Sequence, residues 1–192
     1  MPESLFTFRH AAEIFCKVDG RSDADVSAVY LQVKGLYDRG LLNVAAERAA
    51  RGANQIEFKE LCRARLLLIL LDLGIESENL QRANARLDTS TGRTPLEGGP
   101  MVRYNLEAAM ASKTPWVLAM NLSRLGGKPS FSVMLLPAAI AALPMNEYYD
   151  GPHGGGDPTH PESQVKFADP HLAYLKIPAS KLFNELRSAV DA

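Results

Sequence analysis

The sequence predicts an α+β fold: a mostly helical N-terminal half followed by a smaller α+β region with a short antiparallel sheet. Three observations carry this. Apolar residues recur at three-and-four spacing through much of residues 8–87, the signature of helices with one buried face. Two apolar runs, residues 116–122 and 131–136, flank Gly126-Gly127, the pattern of a hairpin. Helical spacing returns over residues 179–190, with Leu182, Phe183, Leu186 and Val190 on one face.

The elements of the first half follow in order. Thr7 can cap a helix in which Phe8, Ala11, Ala12 and Phe15 share a face. Residues 17–23 form a turn-rich connector, after which Asp23 or Asp25 can cap a second helix built on Val26, Val29, Val33, Leu36 and Tyr37. Gly40 stops that helix, with Arg39 in its last turn. Residues 43–55 are polar and alanine-rich, with Gly52 and Asn54 as turn residues, and residues 55–58 alternate like a short strand. Residues 59–73 form the strongest helix, ended by Gly74, and a further helix runs from Ser77 to about Leu87.

Residues 88–100 read as a linker, rich in Thr, Ser, Gly and Pro, and divide a domain at 1–87 from one at 101–192. Beyond it, residues 102–111 pattern as a helix, and residues 116–122 and 131–136 as strands. Residues 137–143 suit one or two helical turns, residues 150–161 a Gly/Pro/His-rich loop, and residues 172–177 a third strand. Trp116 opens its strand as an anchor of the second core.

Composition narrows the function. Of 192 residues, 46% are hydrophobic and 22% charged, which suits a folded chain. No apolar run approaches the roughly 20 residues a bilayer requires, and the N-terminus does not read as a signal peptide. No membrane partner is therefore expected. Cys16 and Cys62 form no CxxC pair, which argues against a disulfide framework and places the chain in a reducing cytoplasm. Net charge is −1, with 13 Lys/Arg and 13 Asp/Glu in residues 1–93, so any contact with nucleic acid must come from a local patch.

The order helix, turn, helix, short ribbon, helix, helix over residues 5–87 resembles the winged helix-turn-helix of MerR-type transcription regulators. The residues carrying the resemblance are Phe6-Thr7-Phe8 at the first helix, Val26-Ser27 at the second, and Leu36-Tyr37-Asp38-Arg39-Gly40-Leu41-Leu42 at its end. Ile56-Glu57-Phe58 resembles the strand leaving the wing, and residues 61–80, with Gly74-Ile75, the third and fourth helices with their joint. The connector after the first helix is longer than the family's, no long coiled-coil helix follows Leu87, and no metal-sensing cysteines are present. The resemblance implies base contacts from the second helix and backbone contacts from the wing.

The residue chemistry points the same way. The second helix offers Ser27, Tyr30, Gln32 and Lys34 off its apolar face; Gln can read adenine, and Lys can read guanine or neutralise phosphate. The wing offers Arg48, Arg51 and Asn54 for a sugar-phosphate backbone or a minor groove. Arg63 and Arg65 on the third helix are further phosphate candidates. The expected activity is therefore sequence-specific binding of double-stranded DNA by a non-enzymatic regulator without a cofactor. A homodimer joined through Leu182, Phe183, Leu186 and Val190 would place two modules on two half-sites, and RNA polymerase is a further candidate partner. Charged helix faces are by default simply solvated, so the alternative is an adaptor or anti-regulator that keeps the helix-turn-helix shape without binding DNA.

Other chemistries find less support. His153, Asp157, His160, Glu162 and His171 have metal-ligating side chains but the spacing of no closed zinc site. His153-Gly154-Gly155-Gly156 resembles an oxyanion-hole loop, yet the chain has no GxSxG nucleophile. There is no GxxxxGK[ST] and no GxGxxG. Cys16 and Cys62 fall on apolar helix faces and read as core residues.

Overall fold

In the computed structural model, residues 5–46, 49, 52–89, 91–93, 101–125, 128–141 and 173–191 are described. Strand β1 (Leu5–Thr7) leads directly into helix α1 (Phe8–Asp19), whose first turn is capped by the Thr7 hydroxyl accepting from the His10 N–H at 3.2 Å. A short 3₁₀ turn (Asp23–Asp25) precedes α2 (Val26–Asp38), and a capping box between Ser22 and Asp25 holds that turn. Gly40 follows at φ 70°, where the Leu41 N–H reaches back to the Leu36 carbonyl at 3.0 Å. Strand β2 (Gln55–Glu57) pairs antiparallel with β1, Phe6 opposite Ile56, and continues into α3 (Phe58–Asp72) and α4 (Ser77–Thr89).

In the second half, β3 (Thr91–Arg93) pairs antiparallel with β4 (Met101–Arg103). Helix α5 (Leu106–Ala111) follows, then β5 (Trp116–Leu125), β6 (Lys128–Pro137), the single turn α6 (Ala138–Ala141), β7 (Ala173–Ile177) and α7 (Ala179–Val190). The three long strands form an antiparallel sheet in the order β6-β5-β7. The fold class is α+β, as the sequence predicts.

Two sequence expectations shift here. The linker placed at residues 88–100 contains Thr91–Arg93, which is strand β3. The helix expected over residues 102–111 begins later, because Asn105 caps it: its side chain accepts the Ala108 N–H at 2.9 Å, while Met101–Arg103 are extended. The sequence mistook a strand and a cap for the first turn of one helix. Gly126-Gly127 and residues 150–161 lie outside the described residues.

The buried side chains of both halves join in one cluster. Helices α4 and α7 both bridge them, α4 lying against β6 and α7 against α1, α3, α5 and β5. Phe183 and Leu186 are buried there, and Leu182 and Val190 pack half-buried against the same core. The four residues expected to form a dimer face are therefore committed to the chain's own interior. An amphipathic helix buries its apolar face on whatever apolar surface is nearest, and α1 and α3 supply one within the same chain.

Candidate nucleic-acid interface

The pairing of β1 with β2 builds the site. Thr7 lies opposite Gln55, so the start of α1 and the turn before β2 are neighbours. Phe6 and Ile56, both buried, hold that register, since a one-residue slip would turn both side chains outward. The turn is a narrow ribbon: the Ala45 N–H donates to the Gln55 carbonyl at 2.8 Å and the Ala49 N–H to the Ala53 carbonyl at 3.0 Å. Gly52 makes the reversal at φ 72°, a conformation that favours glycine.

A groove of about 670 Å³ runs between this ribbon, the first turn of α1 and one side of α2. Among the described residues it is lined by Thr7, Phe8 and Arg9, by Val26, Ser27, Tyr30, Lys34 and Tyr37, and by Gly52, Ala53 and Asn54. Phe8 and Tyr37 meet as tilted rings 5.3 Å apart, which gives Tyr37 a packing role. Of the residues named from sequence, Ser27, Tyr30, Lys34 and Asn54 converge here. Arg48 and Arg51 lie outside the described residues.

Three of the named residues do not belong to the groove. Gln32 is exposed but stands away from it, because Ser27, Tyr30, Lys34 and Tyr37 follow three-and-four spacing along one side and Gln32 falls off that row. Arg63 is buried, 1% exposed. Its guanidinium donates to Glu60 at 3.0 Å, to Asn84 at 2.8 Å and to Asp88, and Glu60 in turn accepts the Asn43 N–H at 2.9 Å. Burial lowers its pKa, but the hydrogen bonds and charges of Asp88 and Glu60 outweigh that and leave it raised. A guanidinium so enclosed cannot reach a phosphate. Arg65 is spent similarly, bonded to Asp19 and stacked over Phe15 with its centre 5.9 Å from the ring.

One groove residue, Arg9, and one exposed residue outside its lining, Leu31, escaped the sequence reading. Arg9 is exposed at the start of α1, where the helix dipole is positive and no acidic residue occupies the first turn. Its position two residues after the recognisable cap Thr7 was the available signal. Leu31 is 64% exposed on α2. It is four residues from Ser27 and three from Lys34, so it shares their outward side, and its large apolar side chain there was the signal.

The electrostatics are mixed. The Lys34 ammonium donates to Asp38 at 2.6 Å, and that bond raises its pKa. Arg9 donates to Glu13 at 3.3 Å. Asp23 and Asp25 are exposed at the N-terminal end of α2. Burial pushes the thiol pKa values of Cys16 and Cys62 up, so both are inert core residues as their helix positions suggest. Among the described residues no group of three metal-ligating side chains forms, and no helix is long and apolar enough to cross a membrane. His153, Asp157, His160, Glu162 and His171 lie outside the described residues. Comparison with family models, curated proteins and solved structures gave no match.

Proposed function

We propose that the chain is a sequence-specific DNA-binding transcription regulator of MerR-like winged helix-turn-helix type, acting as a homodimer on double-stranded DNA in a reducing cytoplasm. One observation carries the reading: three separated pieces of sequence bring Arg9, Ser27, Tyr30, Lys34 and Asn54 to a single groove between a helix and a ribbon. In this reading Ser27 and Leu31 face base edges, Leu31 against a thymine methyl. Tyr30, Lys34, Asn54, Arg9 and the positive end of α1 hold the sugar-phosphate backbone, and Arg48 and Arg51, named from sequence alone, are further candidates for that contact. One such module covers only roughly 600–1,000 Å² of DNA, hence the second copy. RNA polymerase is the partner such a bound regulator would address.

A second reading, an adaptor or anti-regulator that binds protein through the same groove, is favoured by the carboxylates paired with Arg9 and Lys34 and by the exposed Leu31. Titrating the whole chain against a labelled random duplex over a salt series separates the two. A regulator loses affinity as salt rises, and Lys34→Ala makes the slope of log K against log salt shallower by about 0.9. No binding at low salt overturns the DNA reading in favour of the adaptor. Mapping bound sites across the genome then gives the operator.

A further inference from the structure

Among the described lining residues the groove has two cations, and each is held by a carboxylate one helical turn further along its own helix. Arg9 and Glu13 lie 3.3 Å apart on α1, and Lys34 and Asp38 2.6 Å apart on α2. All four side chains are about half-exposed or more. Resting on the DNA-binding reading, we infer that Glu13 and Asp38 restrain sequence-independent binding by occupying the two groove cations that a passing phosphate would otherwise take.

Stability does not account for these carboxylates. An exposed pair at this spacing changes a folding equilibrium by only about a factor of two. Both pairs also run in the weaker direction, cation before anion. Asp38 sits at the last residue of α2, where the helix dipole disfavours negative charge. Lys34 holds its proton more tightly for the contact, so the cation is engaged rather than absent.

The effect on recognition is larger. Affinity for random duplex comes almost entirely from phosphates neutralised by Lys and Arg. A cation shared with its own carboxylate releases fewer counterions, and the carboxylate then lies beside the phosphate. Occupancy comes to depend on base-edge contacts from Ser27 and Leu31. That matters when competing random sites outnumber an operator by about a millionfold or more.

The test uses the full chain and a labelled random-sequence duplex of about 30 base pairs, by anisotropy from about 50 to 200 mM salt. Glu13→Gln and Asp38→Asn are each expected to bind roughly fivefold tighter at low salt, with a steeper salt slope by up to about 0.9 apiece. Glu78→Gln is the control: it makes the same charge change in an exposed pair with Arg82 on α4, away from the groove, and should alter affinity less than about twofold. Adding Lys34→Met to Asp38→Asn should erase the gain, which a merely structural role for Asp38 would not produce. If the two groove variants gain no more than Glu78→Gln while Lys34→Ala still weakens the parent, the inference fails and DNA binding stands. If the parent binds weakly at low salt and Glu13→Gln combined with Asp38→Asn binds more tightly than either alone, the inference is supported. If none binds at low salt, both fall.

Discussion

Arg63 shows how much the meaning of one side chain depends on its surroundings. By sequence it is one more cation on a helix beside a proposed DNA module. In the structure it joins α3 to the end of α4, and Glu60 beside it holds the backbone of Asn43, just beyond α2. Removing one member of a buried charge pair leaves the other uncompensated, and Glu60 is only 5% exposed. Arg63→Met should therefore destabilise the protein by about 3 kcal/mol, seen as a lower urea midpoint with an unchanged m-value. A phosphate contact would behave in the opposite way, losing DNA affinity at constant stability. No local pattern separates these roles, because burial of Arg63 follows from packing between α3 and α4 rather than from the composition of α3.

At the scale of elements, the legible features were those set by neighbouring residues. Thr7 before Phe8 marks α1, Gly40 and Gly74 mark the ends of α2 and α3, and the spacing of Phe183 and Leu186 gives α7 its full range. Gly40 makes this testable. A Cβ there would meet nothing within 4 Å, so Gly40→Ala carries only the conformational penalty of φ 70°, about 1 kcal/mol in thermal or urea unfolding. Features that need a distant partner were read less well. β3 looked like linker because Thr91–Arg93 is extended only against Met101–Arg103. Four of the nine residues named for DNA meet at the groove because helix periodicity and turn chemistry place them locally. Arg9 joins them only through the pairing of β1 with β2, which the sequence does not announce.

The described residues share one interior, and α7 covers it over α1 and α3. Trp116, the sole tryptophan, is buried beside Tyr104 and its backbone N–H donates to Ser180 at 2.8 Å, so its fluorescence reports the sheet and α7. Far-ultraviolet circular dichroism reports chiefly the helices, most of whose residues lie in the first half. The two signals should unfold at the same urea concentration, and Phe183→Ala, costing about 3–5 kcal/mol of stability, should lower both midpoints together. Separated transitions would show two independent units instead. The long path between α1 and α7 also has a consequence for synthesis. As the polypeptide leaves the ribosome, the proposed reading head emerges early, with part of its apolar underside bare until nearly everything else has been translated. A message cut short before Ala179 would yield a chain in which α1 and α3 lack the cover of α7, a target for chaperones and proteases.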